Sequence, residues 1–368
     1  MQRILTLIVS LAALIIGIVW LAVPASYPYG AADSISVSVT HLIGRELGAG
    51  LMLTSSALGL LIAVIRRPAI AGGGAAAQAA FFLLGLSDAS LLSSIGYALI
   101  PIVIGGVLVL TAIGVSRRHP AGYVASAVLA AALAAAATGL IDASVVGTYL
   151  QNMMKGFAQF GPRVAWSWGM AVIGVVWAWR ACATLPRSRA TTGEPRWGRA
   201  VTIAASLGAL PYGVTRLSWL TPWPLGGLDP ETGRIELVMQ TTEIVDLPEV
   251  RLQGVMIGLS AVLAMILTLG LISRWGEVFP RWVPIVGGRE VPVNLAVVPG
   301  AFGALVLCVS GPGLVVNAVE SGYAMDAFLM LLTFPTPVWG PLLAAAVYAY
   351  WRRRTAPAAI EPRVAATV

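Results

Sequence analysis

The chain has 368 residues, of which 58% are hydrophobic and only 11% are charged, and its formal net charge is +7. A mean hydropathy of +0.85 excludes an ordinary water-soluble globular protein, so we expect an integral membrane protein. The positive charge follows from where the arginines lie and does not indicate nucleic-acid binding.

Apolar stretches recur along the whole chain, and a helix of about 20 residues crosses roughly 30 Å of hydrocarbon. We therefore predict an all-α integral membrane protein, a polytopic bundle of about ten transmembrane helices without a large soluble domain. The predicted spans are Ile4 to Val23, Leu47 to Ile65, Ala75 to Ser87, Gly96 to Val115, Ala121 to Ile141, Val164 to Cys182, Val201 to Leu220, Gly254 to Ile272, Leu295 to Pro312 and Phe328 to Tyr350. The first span is predicted to be retained, because its apolar part is longer than that of a typical signal peptide.

Basic residues set the predicted orientation, since they are retained on the cytoplasmic side when a membrane protein inserts. With the N-terminus inside, most of the 23 basic residues fall in cytoplasmic segments, which include the loops 183–199 and 273–292 and the tail 352–368. The pattern predicts a multi-pass protein of a bacterial cytoplasmic membrane with both termini cytoplasmic. Anionic lipid of the inner leaflet is then a sufficient partner for the positive charge, and no nucleic acid is required.

One cytoplasmic segment, from Ser273 to Pro292, reads SRWGEVFPRWVPIVGGREVP. Its aromatic and arginine side chains are typical of segments that lie among lipid headgroups, and the alternative is a docking site for a soluble partner such as a separate ATPase subunit. The segment and the general helix pattern resemble polytopic membrane proteins of actinobacteria that have no assigned function. The resemblance implies no catalytic residue, cofactor or substrate.

The residue inventory gives little support to catalytic or metal-binding chemistry. Histidine occurs only as His41 and His119, which the topology places on opposite sides of the membrane, and Cys182 and Cys308 lie in different spans. A metal site of several imidazoles or thiolates therefore cannot form within one copy. The glycine-rich run from Ala71 to Ala77 lacks the lysine of a phosphate-binding loop and predicts a flexible helix start. We expect no cofactor, and no catalytic motif identifies an enzyme.

Two parts of the chain show a similar order of features. The first span ends in VPASYPYG and the seventh contains ALPYG, and each is followed by a long outer segment and a span that descends toward arginines. Spans three and four form a tight outer hairpin, and so do spans nine and ten. This order suggests two parallel four-helix repeats, 2–118 and 199–354, joined by a central helix pair. The alternative is that such short strings recur by chance in a chain rich in alanine and glycine.

The seventh span contains the stretch ALPYGVTRLSWLTPWPLG, from Ala209 to Gly226, in which prolines and an arginine interrupt an apolar helix. Proline removes a backbone donor, so carbonyl groups one turn earlier lose their partners and must face protein or water. We predict an outward-facing polar cavity here, and the alternative is a kinked helix whose arginine reaches the outer headgroups. The predicted cavity residues are Pro211, Tyr212, Thr215, Arg216 and Ser218, with Asp88, Glu320 and Asp326 as candidate acidic partners of Arg216.

Two further outer features are predicted. His41, Arg45 and Glu46, near the start of span two, form either a small polar site or an ordinary helix entrance. The outer loop 221–250 is rich in acids and includes RIELVMQTTEIV, whose β-branched content predicts a strand or hairpin. This loop is either a solvated cap or a surface that attracts cations or a basic partner.

Together these features favour a permease-like membrane transport protein that moves a small or amphiphilic solute between the helical units. Interrupted helices support this interpretation, because unwound backbone offers hydrogen-bonding groups to a solute. The alternative is a noncatalytic membrane subunit that acts as a scaffold, a sensor or an assembly partner of another membrane protein. Few charges lie deep in the predicted spans, which argues against coupling to protons or sodium.

Overall fold

The computed structural model describes residues 2–28, 38–86, 88–138, 142–184, 196–228, 235–238, 247–281, 283, 286–320 and 322–355. Its helices are α1 (Gln2–Ala22), α2 (Arg45–Val64), α3 (Pro68–Ala80), α4 (Ser90–Ser116), α5 (Pro120–Ala137), α6 (Ala143–Thr184), α7 (Gly198–Leu207), α8 (Leu210–Leu217), α9 (Pro248–Gly270), α10 (Val293–Glu320), α11 (Ala324–Thr333) and α12 (Thr336–Thr355). A π-helical turn, Phe81–Gly85, extends α3. Two short strands, β1 (Leu225–Leu228) and β2 (Ile235–Val238), pair antiparallel.

Helices make up 83% of the structure. Among the described residues, six segments are long and apolar enough to cross a membrane: Gln2–Ala22, Arg45–Val64, Pro68–Gly85, Pro248–Gly270, Val293–Glu320 and Ala324–Thr355. The predicted helical class is therefore confirmed, and the chain has the make-up of a multi-pass membrane protein. The remaining predicted spans coincide with α4, α5, the second half of α6 and the α7–α8 pair, and the total of ten stays a prediction.

Local sequence explains how α3 begins and packs. Pro68 starts the helix, where a backbone N–H would have no helical partner to lose. The glycine-rich run that follows is helical and serves close packing against neighbouring helices. A Cβ on Gly72 would collide with the Thr184 hydroxyl of α6, and one on Gly74 would come within 2.9 Å of Ile62 of α2.

The helices pack around two apolar cores. In the first, α1 packs on α2 and α3 packs on α6, with Trp20 and Trp177 fully buried between them. In the second, α8 packs on α9, and α12 packs on both α7 and α10 around Leu307 and Tyr350. A smaller cluster of residues from α4, α6 and α10 lies between the two cores.

Buried positions of α1 recur with the same residue types in the segment formed by α7 and α8. Both segments bury a threonine, a serine, an alanine and a glycine at the same spacing. The matched pairs are Thr6 and Thr202, Ser10 and Ser206, Ala13 and Ala209, and Gly17 and Gly213. Such small residues let the next helix along the chain approach closely, as Leu53 of α2 does at Gly17.

The helices that follow are matched as well. Gly48 of α2 and Gly254 of α9 each lie against an aromatic ring from the end of the preceding helical segment. A Cβ on Gly48 would collide with the Tyr27 hydroxyl, and one on Gly254 would come within 2.6 Å of the Trp219 ring. Glycine is therefore needed at both positions for the same kind of contact.

An arginine near the end of α6 and another near the end of α12 make the third match. Arg180 donates to two carbonyl oxygens at the end of α2, at 2.9 and 3.1 Å, and Arg353 donates to the Leu271 carbonyl just after α9, at 2.5 Å. A buried aromatic residue precedes each arginine by one turn. The guanidinium carbon lies 5.8 Å from the Trp177 ring centroid in one case and 5.6 Å from the Tyr350 ring centroid in the other.

The loop from Ser273 to Pro292 folds against the end of α12. Arg353 forms an ion pair with Glu277 at 3.1 Å, and Arg354 donates to a loop carbonyl oxygen 3.0 Å away. The Trp275 ring packs on Gly270 at the end of α9. Part of the loop, including Trp282, lies outside the described residues, and its contact with lipid or with a partner stays a prediction.

The loop 221–250, which the topology prediction places outside, contains the β1–β2 hairpin, so the described part of the fold is helical with one small sheet. The predicted strand is confirmed over Ile235–Val238, and the rest of RIELVMQTTEIV lies outside the described residues. The sequence LGGL of β1 has no β-branched residue, and other bonds hold it in place. Leu225 accepts a hydrogen bond from the Trp219 indole at 3.0 Å and donates to the Ser218 hydroxyl at 2.8 Å.

Candidate functional site

The seventh predicted span is interrupted where the sequence indicates. α7 ends at Leu207 and α8 begins at Leu210, with Pro211 in the first turn of α8. Because proline has no N–H, the Leu207 carbonyl loses its helical donor. Gly208 and Ala209 form the junction between the two helices.

The last predicted span, Phe328 to Tyr350, is also two helices in the structure. α11 ends at Thr333 and α12 begins at Thr336, so that Phe334 and Pro335 form the junction. Phe334 leaves helical geometry with φ −118° and ψ 74°. Helix tends to end before the residue that precedes a proline, and both Pro335 and Pro337 follow here.

The two interruptions lie side by side, and we call this place the shared break. A Cβ on Gly208 would come within 2.5 Å of the Trp339 ring in the first turn of α12. The rings of Tyr212 and Phe334 pack with their centroids 4.7 Å apart. Two helices that are remote in sequence thus contact each other at the level where each is interrupted.

Arg216 lies one turn beyond Tyr212 and is held between two aromatic rings. Its guanidinium carbon is 4.4 Å from the Trp219 ring centroid and 5.2 Å from that of Tyr212. Its Nε is buried and has no hydrogen-bond partner among the residues that the structure describes. This arrangement desolvates one edge of the cation and stabilises it through the ring faces.

A small pocket beside the shared break is apolar and lies on another face of α8. Its lining includes Gly213 and Leu217 of α8 and Ala261 and Met265 of α9. Gly213 and Leu217 each lie one residue beyond Tyr212 and Arg216, which places them about 100° around the helix from that pair. The pocket therefore does not supply the polar cavity that the sequence predicts around Arg216, and that cavity stays a prediction.

The other polar residues of this stretch are engaged by the backbone of their own segment. The Thr215 hydroxyl donates to the Pro211 carbonyl at 2.9 Å, and the Ser218 hydroxyl donates to the Thr215 carbonyl at 2.6 Å. Both are local bonds from a side-chain hydroxyl to a carbonyl group of α8 itself. They leave Arg216 as the main polar feature of the predicted group.

Asp88 has a different partner from the one proposed for it. Arg163 of α6 donates from Nε to one carboxylate oxygen at 2.7 Å, and the Ser167 hydroxyl donates to the same oxygen at 2.9 Å. The backbone N–H of Ser90 donates to the other oxygen at 2.8 Å. Burial raises the pKa of Asp88, and the bonds from Ser90 and Ser167 oppose that rise. Asp88 therefore joins α3, α4 and α6, and it is not a partner of Arg216.

This ion pair is a structural contact that the sequence analysis missed. Asp88 is fully buried and Arg163 is only 6% exposed. The hydropathy pattern begins span six just after Arg163 and so places Arg163 at the membrane surface. The helix α6, however, already begins at Ala143. The spacing of Arg163 and Ser167, four apart on one helix face, is the signal that points to a shared partner.

The remaining acids of the prediction lie at different places. Asp326, in the first turn of α11, is 2% exposed. Glu320 ends α10 and is exposed. Neither forms an ion pair with Arg216 in the part of the chain that the structure describes.

The secondary outer group fits an ordinary helix entrance. Arg45 donates to the carbonyl oxygens of Trp20 and Leu21 at 3.4 and 3.2 Å, which caps the end of α1. Its ion pair with Glu46 is 3.6 Å long and largely exposed. The side chain of His41 lies outside the described part of the structure.

Comparisons of the chain with protein-family models, with curated proteins and with solved structures find no match. Among the described residues, no group of three histidine, cysteine, aspartate or glutamate side chains could hold a metal ion.

Proposed function

We propose that the chain is a permease-like transport protein for a small or amphiphilic solute, with the solute path beside the shared break. The observation that carries this proposal is the contact of the two interrupted helices at Gly208–Trp339 and Tyr212–Phe334. Backbone groups freed by prolines inside a membrane need protein or water as partners, and transport sites commonly use such interrupted helices.

Two buried hydroxyl groups near the shared break support a path at this level. Ser310 of α10 and Thr336 of α12 are 0% and 1% exposed, and neither hydroxyl has a hydrogen-bond partner within the structure as described. The two helices touch here, because a Cβ on Gly311 would lie 3.4 Å from Cα of Pro337. A buried unsatisfied group costs roughly 1–3 kcal/mol. Water or a polar group of a solute would remove that cost.

The proposed architecture is a ten-span protein of a bacterial cytoplasmic membrane, with both termini cytoplasmic and two parallel repeats. The matched residues of α1 with α7–α8, of α2 with α9 and of α6 with α12 support the repeats. We propose α6 as the fourth helix of the first unit, where the sequence suggests α4, because α3 packs on α6 as α10 packs on α12. The units are then α1, α2, α3 and α6, and α7–α8, α9, α10 and α11–α12, with α4 and α5 as an added pair.

Solute flux into proteoliposomes tests the proposed function. Liposomes containing the purified protein are exposed to a panel of radiolabelled uncharged and amphiphilic small solutes, with empty liposomes as the baseline. We expect protein-dependent uptake of one solute class, reduced at least tenfold by Ser310→Ala combined with Thr336→Val. Thr202→Val is the matched control, since that equally buried hydroxyl donates to the Gly198 carbonyl within its own helix at 2.8 Å. No protein-dependent uptake of any solute would contradict the proposal.

The second candidate function is a noncatalytic membrane subunit, and the folded loop from Ser273 to Pro292 favours it. The ion pair between Glu277 and Arg353 and the bond from Arg354 hold this loop in one arrangement. Three arginines of the loop stay exposed: Arg274, Arg281 and Arg289. Crosslinking from this loop in cells separates the alternatives, because a subunit gives one specific protein adduct and a lipid-bound loop gives lipid adducts.

A further inference from the structure

We infer that α8, the β1–β2 hairpin and α11 form an outer lobe that moves as one body about the shared break and acts as the outer gate of the path. The gating role in this inference rests on the proposed transport function. The movement itself is a property of the chain that can be measured without a solute.

The outer lobe is held together by its own contacts. The Trp219 indole, just after α8, donates to the Leu225 carbonyl of β1 at 3.0 Å, and the Ser218 hydroxyl accepts from the Leu225 N–H at 2.8 Å. α11 contacts both α8 and β2. Arg216 adds a cation beside the Trp219 ring. These contacts couple α8, the hairpin and α11 to one another.

At its inner end the outer lobe is joined to the rest of the second unit by the two interruptions. Gly208 and Ala209 lead from α7 into the lobe, and Phe334 and Pro335 lead from the lobe into α12. Pro211 and Pro335 remove backbone donors that would stiffen these joints. At its outer end, the turn from α10 into α11 contains Gly322, whose φ of +73° suits a flexible glycine turn.

The face between the outer lobe and α9 is apolar and closely packed. Leu217 and Trp219 of the lobe fit against glycines of α9, Gly258 and Gly254 respectively. An apolar pocket lies next to this face. Opening would withdraw the two side chains from these glycines, which costs apolar contact but breaks no hydrogen bond between them.

The first unit shows that the shared helix framework does not require the two interruptions. Where α7 and α8 are interrupted at Gly208 and Ala209, the matched part of α1 runs straight through Ala12 and Ala13. A proline also recurs at matched positions. Pro162, which comes just before Arg163 in α6, is as far along the chain from Arg180 as Pro335, which comes just before Thr336, is from Arg353. α6 nevertheless continues as one helix through Pro162. The interruptions therefore serve something that only the second unit does.

Movement of the outer lobe would expose the buried hydroxyls of the path. Thr336 follows the α11–α12 interruption directly, and Ser310 lies beside it on α10. Neither hydroxyl has a hydrogen-bond partner among the described residues, and we assign this arrangement to the closed state of the gate. Opening would bring water or a polar group of the solute to them.

Distance measurement by pulsed electron spin resonance tests the movement. Spin labels are placed at Met325 on α11 and Leu259 on α9, which are 60% and 53% exposed, in full-length protein lacking both native cysteines and reconstituted in lipid. We expect two distance populations for this pair. A matched pair at Asn152 on α6 and Leu51 on α2, both exposed positions in the first unit, should give one.

Proline replacements decide whether the interruptions are the hinges. Pro211→Ala combined with Pro335→Ala should restore backbone donors and collapse the two populations toward one, whereas Pro162→Ala in the uninterrupted α6 should leave them unchanged. A single narrow distance for the 259–325 pair in the parent protein would overturn the gate, whatever the flux assay shows. Two populations without any solute flux would uphold the movement and count against the transport function alone.

Discussion

At the scale of single residues, the charged side chains near helix ends differ in the neighbours that stabilise them. Asp88 and Arg163 are buried and satisfied, whereas Arg216 is held by the rings of Trp219 and Tyr212. Removing one partner of a buried ion pair leaves an uncompensated charge and typically costs more than the pair contributes. The first two predictions concern these residues.

Asp88→Ala should lower the free energy of unfolding by about 3–5 kcal/mol, because Arg163 is left charged and buried. Replacing both partners, with Asp88→Leu and Arg163→Met, should recover most of the loss. Asp142→Ala is the control, since that exposed carboxylate accepts a local bond from the backbone N–H of Ser144. Thermal unfolding of purified protein in detergent measures the changes, and equal stability of Asp88→Ala and the parent protein would rule out a structural role.

Arg216→Ala should reduce solute flux strongly while membrane insertion and accumulation stay normal, and Arg216→Lys should restore flux only in part. A lysine keeps the charge but loses the planar group that stacks on the Trp219 ring. Arg45→Ala is the control, because the guanidinium of that arginine donates to carbonyl oxygens at the end of α1. If Arg216 merely reaches the headgroups, both variants should transport at the parental rate.

At the scale of helices, the sequence predicts those helices that coincide with a continuous run of apolar residues. Spans one, two and eight agree with α1, α2 and α9 to within several residues, and span nine begins with α10, although α10 continues beyond Pro312 to Glu320. Hydropathy does not predict the length of α6. Its first half is more polar and includes Lys155, so the apolar run covers only the second half although the helix covers both. The interruption before α8 follows from proline chemistry, whereas its contact with the second interruption depends on helix neighbours that hydropathy does not contain.

Matched glycines in α2 and α9 provide a prediction at this scale. Gly48→Ala and Gly254→Ala should both destabilise the protein by about 1–3 kcal/mol, since each new methyl group meets an aromatic side chain in a well-packed contact. Gly50→Ala in α2 is the control. No atom lies within 4 Å of its added Cβ, so the change should be neutral or stabilising by up to about 1 kcal/mol. Equal effects at all three positions in thermal unfolding would contradict the proposed match between the units.

At the scale of the whole molecule, the two proposed helical units have matched residues but differ in continuity. The first unit has uninterrupted helices and a satisfied ion pair, and the second has two adjoining interruptions and buried hydroxyls without partners. The sequence suggests two units, and the proposal that α6 belongs to the first depends on which helices touch, which hydropathy does not reveal. The difference between the units is the reason for placing the solute path in the second.

The measurement that tests this account most directly is the accessibility of residue 336 from both sides of the membrane. Thr336→Cys, in protein lacking Cys182 and Cys308, is treated with a membrane-impermeant maleimide in right-side-out and inverted vesicles, with Thr202→Cys as an equally buried control. The account predicts labelling of residue 336 from the outside at a measurable rate, much slower labelling of residue 202, and slower outside labelling of residue 336 after Pro211→Ala with Pro335→Ala. Absence of labelling at residue 336 from both sides, in vesicles where an exposed cysteine at position 325 reacts, would contradict it.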